Sequence, residues 1–341
     1  MIQAIYTDRC FSVKDAGCVS DARPQAFGIS QGCPLSPFLF VMVMTVLIHD
    51  AKAKLQAQPA YNSSQRLLVQ ELLYADDTLV VDADESIIKL YMDCIKEAGA
   101  QYGLSFNWSK LDGLPVRCEV NLSTPQGDQV KVKQSMKYLG SILSADGHVS
   151  GELSMRLGAA QSDFQKLCKI WSHSSISMQR KLHIYQACVL SKLLYSLHVA
   201  WLNAAEVRKL DAFHFRCLRR IAAVKHSFYS RVSNQTVLDK VGGTRLSTDL
   251  CRRQLLYIAK LARRPAGDFL RDTIFEPNSI DLKRISGPRR RGRPRIIWAE
   301  AVFNLALSIA GNHHSLVSLW ANTPVARCAW QAAVDVHCST L

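Results

Sequence analysis

Two adjacent aspartates interrupt an apolar, β-prone run, and this stretch constrains the fold more than any other in the sequence. Leu72-Leu73-Tyr74 lies before Asp76-Asp77, and Thr78-Leu79-Val80-Val81 lies after it. Because aspartate tolerates turn dihedral angles and hydrogen-bonds its own backbone, the pattern predicts a β-hairpin with the acids at its tip. Paired carboxylates at a strand end suit a magnesium site that is open to water and phosphate. The alternative is a solvated acidic turn, because short motifs also match by chance.

The composition is that of a globular and strongly basic protein. Of the 341 residues, 48% are hydrophobic, which is enough to bury a substantial core in roughly two or three domains. The formal net charge of +14 favours a polyanionic partner. Nucleic acid fits better than a membrane, because no basic amphipathic helix has an aromatic face. The longest apolar run, Leu35–Ile48, contains Pro37 and falls short of the about 20 residues that span a bilayer.

The 11 cysteines are scattered along the chain without a Cys-x-x-Cys pair. They therefore predict neither a disulfide framework nor a zinc site, and most resemble small core residues. The N-terminus has no basic segment followed by an apolar core, so we expect no secretory signal. A reducing intracellular location follows, in the nucleus, the cytoplasm or both.

A glycine-bearing loop leads into a helix near the N-terminus. Pro34, Ser36 and Pro37 follow Gly32 at positions typical of a helix start, and the helix is predicted to continue to about Ala53. Backbone N–H groups at such an entry can receive the base, sugar or phosphate of a nucleotide, although the Gly-x-x-x-x-Gly-Lys pattern is absent. A plain helix cap is the alternative.

The hydrophobic period of the chain changes near Ser150. Before this point, an amphipathic helix predicted over 84–103 is followed by short β-like pieces separated by turn residues. After it the helical period dominates, with helices predicted over 151–171, 177–201, 206–224, 234–241, 246–264, 296–311, 315–320 and 325–336. The simplest organisation is an α+β domain followed by a helical one.

Three ordered motifs resemble those of reverse transcriptases, and most closely those of non-LTR, LINE-like retrotransposons. They are Gln31-Gly32-Cys33-Pro34-Leu35-Ser36-Pro37-Phe38-Leu39-Phe40, then Tyr74-Ala75-Asp76-Asp77, then Tyr138-Leu139-Gly140. The first string is strong by itself, and three motifs in this order at this spacing are very specific. The resemblance continues through Ser191–Tyr195, Arg216–Arg219 and Gly292–Arg295 with Trp298, so it covers nearly the whole chain.

The resemblance implies an α+β fold. It consists of a partial polymerase palm, an antiparallel sheet with helices, followed by an all-helical thumb and a C-terminal helical extension. The implied boundaries are 1–147 for the palm, 148–275 for the thumb, 276–295 for a basic linker and 296–341 for a small helical region. The implied activity is RNA-directed DNA polymerisation by two-metal nucleotidyl transfer to a primer 3′-hydroxyl. The implied partners are an RNA template, a DNA primer, their hybrid and deoxynucleoside triphosphates, with no membrane.

The resemblance also implies roles for individual residues. Asp76 and Asp77 are expected to be the catalytic carboxylates that bind Mg²⁺ or Mn²⁺, and Lys110 a lysine near the triphosphate that protonates pyrophosphate. The family often places Thr after this lysine, where this chain has Leu111, and a surface lysine is the alternative. The other assigned residues are Gln31, Gly32, Tyr74 and Ala75 for template and nucleotide, and Tyr138, Leu139 and Gly140 for the primer grip.

One part of the implied metal site has no counterpart in the sequence. Consecutive strand residues point to opposite faces, so Asp76 and Asp77 cannot form a symmetric two-metal cage without a third carboxylate. The family's first catalytic motif, an apolar strand with an Asp, is not found ahead of Gln31, and Asp8 is the least implausible substitute. We therefore expect the C-terminal portion of a larger retroelement protein, without its fingers, that polymerises poorly or not at all alone.

A basic run near the C-terminus is a further candidate for binding nucleic acid. Gly and Pro keep the run extended, and so many arginines cannot fold into a core. The residues assigned to binding are Arg289, Arg290, Arg291, Arg293 and Arg295. The string Arg291-Gly292-Arg293-Pro294 also matches the core of an AT-hook, which reads the minor groove of A·T-rich DNA. A non-enzymatic nucleic-acid-binding remnant is therefore the competing function.

Basic residues are also frequent in the helical half, for example Arg216, Arg219, Arg220, Arg252 and Arg253. By the resemblance they would follow the backbone of an RNA–DNA duplex, which is a sequence-independent and salt-sensitive attachment. A solvated helix face is the alternative.

Overall fold

The computed structural model describes residues 3, 6–25, 28–29, 32–59, 61, 70–124, 127–284 and 296–340. The chain divides into two compact units, residues 1–134 and 135–341. The first unit mixes helices with short strands, and the second is mostly helical. The predicted α+β class is therefore confirmed, whereas the division into palm and thumb stays a prediction.

The strands of the first unit pair locally. An outer pair, β1 and β4, encloses the pair β2 and β3, and β5 and β6 form a longer antiparallel hairpin, whereas β7 and β8 are parallel. Within the described ranges every sheet is two-stranded. The strands are β1 (Cys10–Phe11), β2 (Lys14–Asp15), β3 (Cys18–Val19), β4 (Arg23–Pro24), β5 (Gln70–Tyr74), β6 (Asp77–Val81), β7 (Asp112–Gly113) and β8 (Lys131–Val132).

Two helices supply the core of the first unit. Helix α1 (Ser36–Gln56) has a proline in its first turn, and α2 (Glu85–Gln101) is capped by Asp84, whose side chain accepts a hydrogen bond from the backbone N–H of Ser86. The helices pack together through apolar side chains, with Val80 of β6 against them. The core residues are Leu47, Ile48, Ala51 and Leu55 of α1 and Ile87, Tyr91, Cys94, Ile95 and Ala98 of α2.

The N-terminal half of α1 exposes an apolar stripe. Phe38, Val41, Met42 and Val46 recur at helical spacing, and Phe38 is 70% exposed. The buried residues of this helix lie mostly in its C-terminal half. An exposed apolar patch of this kind is typical of a surface that contacts further polypeptide or a ligand.

The second unit begins with a short hairpin and continues as helices. Strands β9 (Ser135–Tyr138) and β10 (Ser141–Ser144) are antiparallel, with Tyr138 opposite Ser141. The helices are α3 (Ser150–Lys166), α4 (Cys168–Ser172), α5 (Met178–Tyr185), α6 (Ser191–Leu193), α7 (Ala204–Ile221), α8 (Ser227–Ser230), α9 (Asn234–Val241), α10 (Leu246–Ala262), α11 (Phe269–Asp272), α12 (Trp298–Ala310), α13 (His313–Leu319) and α14 (Pro324–Ser339). No described helix of either unit is long and apolar enough to cross a membrane.

Two hydrophobic clusters stabilise the second unit. One gathers side chains of α3 to α7 and of α9, including the buried Tyr185 and Phe213. The other joins α10 to α12, α13 and α14, and there the indole N–H of Trp330 donates to the carbonyl oxygen of Leu255 at 3.2 Å. Buried tryptophans usually find such a partner. The C-terminal helices therefore pack on α10.

The single helix predicted over 177–201 is interrupted. Residues Gln186–Leu190 form a π-helical turn between α5 and α6, and Ser196 has φ +66°, which ends the helical path. The π turn and α6 pack against α3, with Val189 and Leu193 fully buried. The π turn spans only five residues, which are too few for sequence periodicity to distinguish it from an α-helical turn.

Candidate active site

The hairpin predicted around the two aspartates is present. Tyr74 pairs with Asp77, so Ala75 and Asp76 are the two central residues of the turn. Ala75 has φ +54°, in the left-handed region. That conformation costs a non-glycine residue roughly 1–2 kcal/mol, and strain of this kind clusters at functional sites.

The two faces of this hairpin have different environments. On the inner face, Glu71 forms an ion pair with Lys52 of α1, and Val80, which is opposite Glu71, contacts the core. Directly opposite residues share a face and consecutive residues alternate, so Tyr74 and Asp77 lie on the outer face. Both are exposed. The hairpin is thus anchored on one side and open on the other.

Asp76 and Asp77 are available to a cation. Both side chains are exposed, and in the described part of the chain neither forms a hydrogen bond or an ion pair. Carboxylate oxygens are the ligands that Mg²⁺ prefers, so the chemistry of the pair fits this ion. Among the described residues, however, no three His, Cys, Asp or Glu side chains come together to hold a metal. Asp8, the substitute considered from the sequence, lies in a turn with φ +54° and does not join the pair.

The Gln-Gly loop leads into α1 as expected. Gly32 is exposed with φ +88°, and Gln31 lies outside the described residues. Backbone hydrogen bonds from Leu35 and Ser36 hold the pKa of the nearby Cys33 thiol below its ordinary value. The start of this helix therefore favours negative charge, as expected where amide N–H groups have no partner within the helix.

Lys110 ends a short 3₁₀ turn, Trp108–Lys110, in the first unit. Its side chain is exposed and forms no hydrogen bond or ion pair within the residues described, including any to Asp76 or Asp77. Leu104–Phe106, just before this turn, is one of the β-like pieces expected between 103 and 150, and that expectation is wrong, because these residues form no strand in the described chain. The role of Lys110 stays a prediction.

The Tyr138-Leu139-Gly140 motif forms the turn between β9 and β10, in the second unit. Leu139 has φ +47° and Gly140 has φ +79°, so both central residues are left-handed, as in a type I′ turn. Glycine adopts this conformation readily, whereas Leu139 is strained. Both carbonyl oxygens of the turn accept side-chain hydrogen bonds, that of Leu139 from the Tyr195 hydroxyl at 3.1 Å and that of Gly140 from Arg156 at 2.6 Å.

A buried ion pair supports this turn, and sequence reasoning missed it. Glu152 of α3 accepts from the Nε of Arg156 at 2.7 Å and from the backbone N–H of Ile142 in β10 at 2.6 Å. The Arg156 guanidinium also lies 4.7 Å from the ring centroid of Tyr195. A hydrogen bond from a charged donor contributes about 1.5–3 kcal/mol, enough to offset the strain at Leu139. The available signal was a Glu and an Arg four residues apart, directly after the hairpin.

The sequence was compared with known protein families, and the match includes the residues described above. Residues 2–143 match the family described as reverse transcriptase (RNA-dependent DNA polymerase). The matched span takes in Asp76, Asp77, Lys110 and the turn at Leu139. The match covers less than half of the chain, and over these residues the chain is similar to reverse transcriptases.

Two relatives extend the similarity beyond this domain. The Retrovirus-related Pol polyprotein from type-1 retrotransposable element R2 of Popillia japonica is 24% identical over 298 residues, which are 81% of this chain and 39% of that protein. The RNA-directed DNA polymerase from mobile element jockey of Drosophila melanogaster is 23% identical over 237 residues, which are 65% of this chain and 25% of that protein. Both relatives are named as proteins of a retrotransposable or mobile element, and this chain is similar to them over most of its own length. The chain spans less than half the length of either relative.

Many basic side chains of the helical unit form contacts inside the fold. Arg219 is buried and donates to the carbonyl oxygens of Lys225 and Val232, so it holds a loop and does not face a duplex. Three more arginines form ion pairs: Arg252 with Asp335, Arg253 with Asp249, and Arg264 with Asp268. Arg289, Arg290, Arg291, Arg293 and Arg295 lie outside the described residues.

Proposed function

We propose that the chain forms the palm and thumb portion of an RNA-directed DNA polymerase. It would add deoxynucleotides from their triphosphates to the 3′-hydroxyl of a DNA primer paired with an RNA template. The observation that carries this proposal is the exposed, unpaired Asp76-Asp77 pair on a strained hairpin, inside the span that matches the family.

In the proposed reaction each group has one task. Asp76 and Asp77 would hold Mg²⁺ or Mn²⁺, which when bound activates the primer hydroxyl and stabilises the leaving pyrophosphate. Lys110, exposed and without an ion pair in the described residues, would donate a proton to pyrophosphate. Gln31, Gly32, Tyr74 and Ala75 would contact template and nucleotide. The turn at Tyr138, Leu139 and Gly140 would hold the primer end.

We further propose that this chain alone is weakly active or inactive. Two adjacent carboxylates give only part of a two-ion site, so the site would be completed by a carboxylate from outside these 341 residues. The exposed apolar stripe of α1, with Phe38 70% exposed, supports this proposal, because it offers a surface on which further polypeptide can pack.

The proposed organisation assigns residues 1–147 to the palm, 148–275 to the thumb, 276–295 to a basic linker and 296–341 to a helical extension. The proposed partners are RNA template, DNA primer, their hybrid and deoxynucleoside triphosphates. The net charge of +14 supports a nucleic-acid partner. We propose a location in the nucleus, the cytoplasm or both.

Primer extension on an RNA template tests the activity. We expect at most weak, Mg²⁺-dependent extension by the purified chain, reduced at least about 100-fold by Asp76→Asn. Asp93→Asn, which changes another exposed carboxylate of the first unit, is the matched control. Robust extension by the wild type would contradict the incomplete site, and extension that Asp76→Asn leaves unchanged would contradict the assigned residues.

The alternative function, a nucleic-acid-binding remnant that uses Arg291-Gly292-Arg293-Pro294, predicts a different ligand preference. If it is correct, affinity should follow A·T content and be lost with Arg293→Ala, and an RNA–DNA hybrid should compete poorly. The polymerase proposal predicts that the hybrid competes well against an A·T-rich duplex of the same length at the same ionic strength.

A further inference from the structure

A three-residue network connects the turn at Leu139 to the helices of the second unit. Glu152 and Arg156 lie on α3, and Tyr195 follows α6, so two separate elements converge on one turn. The side chains of Glu152 and Arg156 are 8% and 12% exposed, whereas Tyr195 is half exposed. We refer to Glu152, Arg156 and Tyr195 as the latch.

The latch contacts the two backbone carbonyls of the turn and two groups of β10, the Ser141 hydroxyl and the backbone N–H of Ile142. Arg156 donates to Gly140 O at 2.6 Å and also to the Ser141 hydroxyl at 3.2 Å, and Tyr195 donates to Leu139 O at 3.1 Å. Glu152 uses both carboxylate oxygens, one for Arg156 and one for the backbone N–H of Ile142. The latch therefore fixes the turn from two directions.

The conformation that it fixes is one that leucine rarely adopts. Leu139 has φ +47°, and a turn with both central residues left-handed is normally built from Asn, Asp or Gly. A strained residue persists only where its surroundings determine its conformation. Here the hydrogen bonds from Arg156 and Tyr195 are that determinant.

The position of Tyr195 depends on the π turn. Gln186–Leu190 and α6 pack on α3 through the buried Val189 and Leu193. A second tie is the ion pair of Lys192 in α6 with Asp163 in α3, at 2.6 Å. The chain then leaves the helix at Leu194, and the Tyr195 ring lies against the Arg156 guanidinium. A π turn is often found where a helix presents a functional side chain.

We propose that Glu152, Arg156 and Tyr195 are positioning residues that lock the Leu139-Gly140 turn in its left-handed form, so that it presents a fixed surface to the primer end. This inference rests on the proposed function. The three residues act through the turn and contact neither metal nor nucleotide in the proposal. Loss of the latch should therefore impair recognition of the primer end more than general binding of the hybrid.

The test compares Tyr195→Phe with wild type. This variant keeps the ring against Arg156 and removes only the hydroxyl that donates to Leu139. The matched control is Tyr229→Phe, another exposed tyrosine of the second unit whose hydroxyl forms no hydrogen bond in the described chain. The measured quantity is the affinity for an RNA–DNA hybrid with a recessed primer 3′ end relative to a blunt hybrid, at one ionic strength.

We expect Tyr195→Phe to reduce this preference for the recessed end by about fivefold, with unchanged affinity for the blunt hybrid. Arg156→Lys, which cannot reproduce the planar guanidinium contacts, should reduce it further. A preference retained in Tyr195→Phe would overturn the inference while leaving the proposed function intact. A wild type without any preference would overturn the proposed primer contact and the primer role of the latch with it.

Deuterium uptake at the backbone amides of residues 139–141 tests the latch without any nucleic acid. We expect uptake about tenfold faster in Tyr195→Phe than in wild type and unchanged in Tyr229→Phe. Equal uptake in all three proteins would show that the hydroxyl does not restrain the turn and would overturn the inference.

Discussion

Two hairpins of this chain have the same construction and different surroundings. Each joins its strands through a two-residue turn, and each places a non-glycine residue in the left-handed region, Ala75 in one and Leu139 in the other. The turn at Leu139 is held by a side chain of α3 and by Tyr195, which follows α6. In the described chain, by contrast, no side chain bonds to Asp76 or Asp77.

The difference follows from what each hairpin is proposed to do. A carboxylate that must bind a metal cannot already be paired with Lys or Arg, because an internal cation would compete with the ion. A turn that must hold a substrate end has to be immobile, and this requires supporting hydrogen bonds. The carboxylates of Asp76 and Asp77 are therefore unpaired within the described chain, whereas the turn at Leu139 is fixed by hydrogen bonds.

Removing the buried acid should have the largest effect on stability. Glu152→Ala leaves Arg156 buried without its partner and frees the N–H of Ile142, so we expect the free energy of unfolding to fall by about 3 kcal/mol. Urea denaturation measures the change, and Glu300→Ala, an exposed acid of the same unit, should stay within about 0.5 kcal/mol. If Glu152→Ala and Glu300→Ala lowered the free energy of unfolding equally, Glu152 would not stabilise the turn at Leu139. That turn would then be no better supported than the turn at Ala75.

Acid should weaken the second unit more than the first. Burial lowers the pKa of His214 below its ordinary value of 6.5, and its ring lies 3.0 Å from the Tyr185 hydroxyl and 3.2 Å from the carbonyl oxygen of Thr244. Because the unfolded state then binds the proton more readily, this contribution to stability is complete above pH 6.5. It is lost as the pH falls from 6.5 towards the lower pKa of the folded state.

Hydrogen exchange followed from pH 7.5 to 5 separates the two units. We expect protection of α5 and α7 to decline below pH 6.5 while that of α1 and α2 is maintained, and His214→Gln should flatten the decline. The first unit has one histidine, His49, and its side chain is exposed. A parallel decline in both units would contradict this difference between them.

Glycine substitution in the two turns should have the smallest effect on stability. Ala75→Gly and Leu139→Gly each relieve left-handed strain but add freedom to the unfolded chain, so we expect each unit to be stabilised by no more than about 1 kcal/mol. Thermal unfolding gives the values. Destabilisation by Ala75→Gly would show that Ala75 is not strained as its φ of +54° indicates.

Local features of the first unit were predictable from the sequence. The hairpin follows from two β-prone runs around Asp76-Asp77, and the start of α2 follows from Asp84, because turns and caps depend on neighbours in the chain. The roles assigned to Lys110, Gln31 and the arginines of 289–295 stay predictions.

Contacts between distant residues were not predictable. The hydrogen bond from Tyr195 to Leu139 joins residues 56 apart in the sequence, and Tyr195 follows a π turn too short to be distinguished by sequence periodicity. The sequence predicts that Arg219 is a surface cation. Its guanidinium is instead buried under a loop whose position cannot be predicted from the sequence. The number of basic residues in the sequence therefore overestimates the number of basic side chains that are exposed to nucleic acid.

Metal-directed cleavage of the chain tests the central claim, that Asp76 and Asp77 hold the catalytic metal. With Fe²⁺ replacing Mg²⁺ in the presence of ascorbate and peroxide, radicals generated at the bound ion cut the nearby backbone, whether or not the chain polymerises. We predict cleavage near Ala75 in the wild type and in Asp93→Asn, its loss in Asp76→Asn, and suppression by excess Mg²⁺. Cleavage that persists in Asp76→Asn, or that is absent near the hairpin in the wild type, would contradict the claim.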